Sequence, residues 1–355
     1  MSDALIPVMR PIAPPLELVT KYLESAWSAG RFSNYGPLVQ ELERRYADRL
    51  GTDPDLVIAC SSATTALTGA IVAHEAHRAL VQNYSFPATG HAALSSGKEV
   101  TFSNRLLNWK MPDVQYEGVV CVPVVPFGAQ IDEEIITRHN MVLDAAASLG
   151  QENAKFSSLS ESSAVVFSLH ATKVLGAGEG GLAIFGGYQA AKKFREWINF
   201  GFSNSRSSLR PATNGKMSEA TAAIALAALD NWAVERSQWL AARNRAMSTQ
   251  LKTIKSPSFQ TNDCVTPYWI VQLESAERVS LLESFLRLRG IESRKWWDGP
   301  MSLMPAFSKI QVSPSASEEG GDYEKLLGLP FFRELSDKDF AHVNSALWDF
   351  ELLHS

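Results

Sequence analysis

A series of short, uniformly apolar runs separated by longer helical patterns constrains this chain more than any other feature. The runs are 56–60, 79–81, 98–102, 119–125, 141–143, 164–167 and 182–185, and residues 64–77 read as a helix between the first two. Runs this short, lacking an alternating polar face, suit strands covered on both sides in a mostly parallel sheet between helices. The alternation predicts an α/β architecture. From 217 to about 251 the pattern changes to one long alanine- and leucine-rich helix. Ser218 is its candidate N-cap, and Glu219 puts a negative charge in the first turn, where the helix dipole favours it. Residues 252–263 read as a linker, 268–273 as a strand, 278–289 as a helix, 313–322 as a polar mobile loop, and 337–353 as a terminal helix capped by Ser336. The 355 residues therefore divide into a large portion, 1–250, and a smaller α+β portion, 251–355, on which the N-terminal segment can pack.

Composition narrows the function. Hydrophobic residues make up 45% and charged residues 20%, as in a globular protein with a full core. The net charge of −5 and the absence of a basic run argue against a nucleic-acid partner. Cys60, Cys121 and Cys264 are scattered, which suits a reducing compartment better than a disulfide framework. The first 15 residues lack the pattern of a secretion signal, and no run approaches the roughly 20 apolar residues of a membrane span. The expectation is a cytoplasmic protein without a membrane partner.

The chemistry centres on the stretch 167–181, Phe-Ser-Leu-His-Ala-Thr-Lys-Val-Leu-Gly-Ala-Gly-Glu-Gly-Gly. Lys173 falls just after one strand and just before a glycine-rich turn into another. An amine held on such a loop, rather than on a helix surface, can condense with an aldehyde cofactor; an ordinary surface lysine is the plainer alternative. Asp144 ends the run at 141–143. A carboxylate there can stabilise a cationic ring nitrogen, or serve the turn that Ala145, Ala146 and Ala147 begin. Ser62, Ala63 and Thr64 stand where a strand gives way to a helix. The unpaired N–H groups and positive dipole end of that helix make a natural phosphate seat, and the same hydroxyls can cap it. Arg294 and Trp296, with Trp297, can line a substrate pocket in which the guanidinium grips a pyrophosphate or carboxylate; packing is the alternative for the tryptophans. Gly178, Glu179, Gly180 and Gly181 read as a turn and no more. His74 and His77 are three apart, not the four of a metalloprotease helix, so no metal is expected.

As a set these motifs resemble the DegT/DnrJ/EryC1/StrS family of sugar aminotransferases, nearly end to end, from the Arg-Phe-Ser-Asn-Tyr-Gly-Pro of 31–37 to Leu329-Pro330 and the terminal helix. The resemblance implies the fold type I pyridoxal phosphate transferase architecture, with pyridoxal 5'-phosphate on Lys173 and pyridoxamine phosphate as its alternate form. It implies Asp144 at the pyridine nitrogen, Ser62, Ala63, Thr64 and Ser168 at the phosphate, and Phe86 stacked on the ring. Tyr35 falls among the implied substrate residues. Asn214 resembles an asparagine that reaches the neighbouring subunit's phosphate, which implies a homodimer with shared active sites. The implied reaction moves an amino group from glutamate to a nucleotide-linked ketosugar, of the dTDP-4-keto-6-deoxyglucose type, for O-antigen, capsule or natural-product glycosylation. The competing readings are another enzyme on this fold, such as a lyase or desulfurase, and a non-catalytic binder of pyridoxal phosphate or a sugar nucleotide.

Three positions depart from the family pattern. Ala63 replaces the usual glycine of a Gly-Thr pair by one methyl. Ala147 stands where a glutamine or histidine near the cofactor's O3′ is usual, and Ser302 where a substrate-site histidine is usual.

Overall fold

The computed structural model describes residues 5–103, 117–131, 133–151, 155–249, 251–260, 265–297, 299–313 and 322–354. The polar stretch 314–321 and Cys264 lie outside them. Two helices come first, α1 (Leu16–Ala29) and α2 (Pro37–Leu50). Strands and helices then alternate through β1 (Val57–Cys60), α3 (Ala63–Ala73), β2 (Arg78–Gln82), α4 (Pro87–Ser95) and β3 (Glu99–Ser103). Next come β4 (Val119–Val122), the one-turn α5 (Glu133–Ile136), β5 (Val142–Asp144), β6 (Ala164–Ser168), β7 (Gly181–Phe185) and α6 (Tyr188–Trp197). The remainder comprises α7 (Glu219–Asp230), α8 (Trp232–Ser248), β8 (Trp269–Gln272), α9 (Ala276–Arg287), β9 (Gln311–Val312), β10 (Leu326–Leu329) and α10 (Asp337–His354).

Two four-stranded ladders, β1-β7-β6-β5 and β4-β2-β3-β9, meet through parallel bridges Cys121 to Met141 and Val124 to Asp144. The result is a mostly parallel sheet in which β7 alone runs against both of its neighbours. Its side chains alternate between two cores. Val57, Ala59, Val165, Phe167, Leu182 and Ile184 pack on one face with α2 and α7. Ile58, Cys60, Val166, Ala183 and Phe185 pack on the other with α3 and α6. Burial of both faces is why β1, β6 and β7 carry no polar alternation.

The expected single helix at 217–251 is two. Asn231, a single turn residue at φ −86°, ψ −1°, separates α7 from α8, and its side-chain amide donates to Glu235. Trp232 is buried just past this break, with the Arg49 guanidinium 5.1 Å from its ring. Ser218 does cap α7, accepting from Thr221 N at 3.1 Å. Glu219, however, is fully buried and serves another helix: its carboxylate accepts from Leu38 N at 2.8 Å and Val39 N at 3.2 Å, at the start of α2. Ser336 caps α10 by accepting from Asp339 N at 3.0 Å.

The C-terminal third builds an antiparallel pair, β8 with β10, under α9 and α10. The N-terminal segment packs here, with Ile6 hydrogen-bonded to Gly290 and Glu292 and Val8 to Glu292 and Phe331. Residues 301–312 return to the large sheet: β9 extends it beside β3, and Met301 and Phe307 enter the core under α4. No helix among the described residues is long and apolar enough to cross a membrane.

Candidate active site

Strand directions decide where the site forms. β1, β2, β4, β5 and β6 all end at the same edge of the sheet, and β7 begins there. In a parallel sheet this carboxyl edge is the usual ligand crevice. The residues that follow these strands line one cavity of about 350 Å³. From β1 come Ser62, Ala63 and Thr64; from β2, Ser85 and Phe86; from β4, Val124 and Phe127; from β5, Asp144 and Ala147; from β6, Ser168, His170 and Lys173. Tyr268, Arg294, Trp296 and Trp297 close it from the C-terminal part.

Lys173 sits in the connection between the antiparallel strands β6 and β7. Its N–H donates to His170 O at 2.9 Å and its carbonyl accepts from Gly176 N at 3.2 Å, which folds the loop back over the sheet edge. Leu175 at φ 59° and Gly178 at φ 89° complete the turn. The side-chain amine donates to the Tyr268 hydroxyl.

Asp144 is 5% exposed. One carboxylate oxygen accepts from Thr89 Oγ1 at 2.7 Å and the other from Ala146 N at 3.1 Å. The turn role and the site role therefore coexist. Burial pushes its pKa up, against the lowering effect of those hydrogen bonds and of the Lys173 ammonium. A carboxylate so placed is short of positive charge, and a cationic ligand in the cavity would supply it.

The start of α3 could seat an anion. Ser62 caps the helix by accepting from Thr65 N at 3.1 Å, and the first intrahelical bond runs from Ala66 N to Ser62 O. The N–H groups of Ala63 and Thr64 precede it, at the positive end of an eleven-residue helix. Ser168, at the end of β6, lines the same space. Gly181 brings β7 against this seat: a Cβ there would fall 2.5 Å from Ser62 C and 2.6 Å from Ala63 N. Gly181 thus makes a close backbone approach and Glu179 lines the cavity mouth, 3.7 Å from His170, so the glycine-rich segment is more than a turn.

Phe86 is 59% exposed at the start of α4 and faces the cavity rather than the core. Arg294 lies near Trp296, its guanidinium 4.9 Å from the indole, and pairs with Glu292 at 2.8 Å. Trp297 stacks on Phe127 with ring centroids 4.6 Å apart. Tyr35 and Asn214 are not among the residues lining this cavity. Tyr35 at φ 60° gives its hydroxyl to Glu43 at 2.8 Å and takes the Arg195 guanidinium over its ring. Asn214 is exposed and bridges Asn199. Ser302 bonds Asn83, accepting from its amide at 2.9 Å. Thr89 and Tyr268 were not singled out from the sequence; one lies within a helix, the other begins an apolar strand, and nothing local marks either.

An amine, a buried carboxylate and a helix start with free N–H groups in one cavity fit the three ends of pyridoxal phosphate. Lys173 would hold the aldehyde carbon, Asp144 the pyridine nitrogen, and Ser62, Ala63, Thr64 and Ser168 the phosphate.

Comparison with known proteins agrees. A family model described as the DegT/DnrJ/EryC1/StrS aminotransferase family matches residues 16–348. The chain is 30% identical over 242 residues to a dTDP-4-amino-4,6-dideoxy-D-glucose transaminase of Shigella dysenteriae, an alignment spanning 63% of this chain and 64% of that one. It is 25% identical over 380 residues to GDP-perosamine synthase of Caulobacter vibrioides, covering 98% and 99% of the two chains. The crystal structure of a DegT DnrJ EryC1 StrS aminotransferase from Brucella abortus superposes with a TM-score of 0.78 at 21% identity, over 95% of this chain and 96% of that one.

Proposed function

The chain belongs to the DegT/DnrJ/EryC1/StrS aminotransferase family, and on that premise we propose that it aminates a nucleotide-linked ketodeoxysugar with glutamate as donor. Pyridoxal phosphate is its cofactor. Both sequence relatives above are named for amino-sugar chemistry, which supports a sugar-nucleotide acceptor. The dTDP-4-keto-6-deoxyglucose type is the form we favour, with an amino sugar for surface polysaccharide or natural-product glycosylation as the outcome.

The observation that carries the reading is the convergence of Lys173, Asp144 and the Ser62–Thr64 helix start in one cavity. When bound, pyridoxal phosphate supplies the electron-accepting ring that stabilises a carbanion at the donor's Cα. The chain supplies the rest. Lys173 Nζ takes a proton as general base and returns it as general acid. Asp144, whose charge burial penalises, would be stabilised as a carboxylate by a protonated nitrogen opposite it, and would favour that protonated form in turn. The α3 start and Ser168 seat the phosphate, Phe86 shields the ring from water, and Arg294 offers a planar cation to the pyrophosphate or donor carboxylate.

A desulfurase would need a reactive thiolate in the site. Burial pushes the Cys60 thiol up to about 12 and the Cys121 thiol up to about 11, and neither lines the cavity.

The test is direct. Pyridoxal phosphate added to the full chain should produce a visible absorption band, and borohydride should bleach it and leave the cofactor on the Lys173 peptide. Glutamate should also discharge the band, and a panel of ketosugar nucleotides read by mass spectrometry should reveal the amine product. Lys173→Ala should lower turnover by roughly a thousandfold or more. Label at another lysine sinks the assignment; a band insensitive to glutamate leaves a binder rather than a transaminase.

A further inference from the structure

Position 147 carries only a methyl group, so it offers the site no hydrogen bond. The structure shows what occupies that side of the cavity. Ala147 packs in one cluster with Phe127 and Tyr268. Tyr268 comes from the residue just before β8, far away in sequence. Its hydroxyl accepts from Lys173 Nζ, which lies 5.1 Å from the ring centroid. Among the described residues, each is the other's side-chain hydrogen-bond partner.

Tyr268 is held from several directions. It is 7% exposed, with its ring edge-on to Trp296 at 4.9 Å and to Phe127 at 5.8 Å. Its carbonyl accepts from the Gln260 amide at 3.3 Å and from the buried Arg243 guanidinium at 3.5 Å. Gln260 in turn accepts from Ile270 N at 3.2 Å, so the strand start is tied on both sides of the ring. A ring packed this way has little rotamer freedom left, whereas a lysine has four rotatable side-chain bonds to restrain. The hydroxyl therefore sets the direction of the amine.

We propose that Tyr268 is a positioning residue for Lys173, supplying from the C-terminal part of the chain a hydroxyl that accepts from Nζ. The inference rests on the cofactor reading above. It assigns Tyr268 no proton-transfer step: the phenol holds Nζ where it meets the cofactor's aldehyde carbon, and the lysine remains the acid and base.

The test compares wild type with Tyr268→Phe, which deletes one oxygen and keeps the ring packed on Phe127 and Trp296. The full chain loaded with pyridoxal phosphate is followed by visible absorption, by visible circular dichroism, and by the rate of borohydride fixation at Lys173. Expected are a displaced absorption maximum, a weakened dichroic signal and a slower fixation rate. In turnover, kcat should fall roughly ten- to hundredfold, the range expected for losing a hydrogen bond to a charged group, with KM little changed. The cofactor-free variant should unfold at the wild-type temperature. Wild-type spectra, fixation rate and kcat in Tyr268→Phe would overturn the proposal, as would losses that merely track a lower folded fraction. If wild type itself shows no band and no label on Lys173, the cofactor reading fails instead, so the two failures are distinguishable.

Discussion

Asp144 is pulled two ways, by burial toward the neutral acid and by Thr89, Ala146 and Lys173 toward the carboxylate, with burial the larger effect. A carboxyl whose pKa is higher folded than unfolded binds its proton more tightly in the folded chain. It favours folding fully below the ordinary value of 3.8, and that contribution is lost as pH rises through the raised value. Asp144→Asn removes this dependence. Urea unfolding of the cofactor-free chain from pH 3.8 upward should show wild type losing stability relative to the variant, and parallel curves would refute the assignment. With cofactor the variant should fare worse, losing on the order of a hundredfold in turnover, because a preorganised charge opposite the ring has gone. At this scale much was legible. Residue type and place between strand and turn single out Lys173, Asp144 and Ser62, which the structure brings to one cavity. Thr89, which orients Asp144, was hidden because a threonine within a helix has no local mark of its partner.

Among the elements, the junction of β7 with α3 shows how a glycine positions a site. Gly181 pairs with Cys60 and Ser168 and runs against the Ser62–Ala63 backbone. Gly181→Ala would force its Cβ to 2.5 Å from a backbone carbonyl, where no side chain can swing away. The expected cost is about 1–3 kcal/mol of unfolding free energy, with weaker binding of pyridoxal phosphate measured by absorbance titration. Unchanged affinity would show that the seat tolerates a shifted strand. The α7–α8 break teaches the converse. A helical pattern runs unbroken through 217–251, yet the helix is interrupted at Asn231 and Trp232 is buried beyond it. Periodicity shows which faces are apolar, but not where packing bends the axis.

For the whole molecule, the residues that did not reach the cavity are the informative ones. Asn214 is exposed, Tyr35 is tied to Glu43 and Arg195, and Phe200, beside Asn199, is 46% exposed with the Lys216 amine 4.5 Å from its ring. A site shared between two copies would give Asn214 its work in a partner. Mixing Lys173→Ala with Asn214→Ala, after exchange of subunits, should then yield activity above the sum of the two, because one site of each mixed dimer is intact. Simple additivity would place Asn214 outside a site shared between subunits. By itself the sequence determined the α/β class and the strands buried on both faces, and singled out the amine, the carboxylate and the helix start that share the cavity, because each leaves its mark within a few neighbouring residues. Only the tertiary structure decided that five strand ends share one edge, that Glu219 caps a helix 180 residues away, and that Tyr268 meets Lys173. Those are contacts between distant segments, set by packing and strand direction, and no local pattern of residue types encodes them.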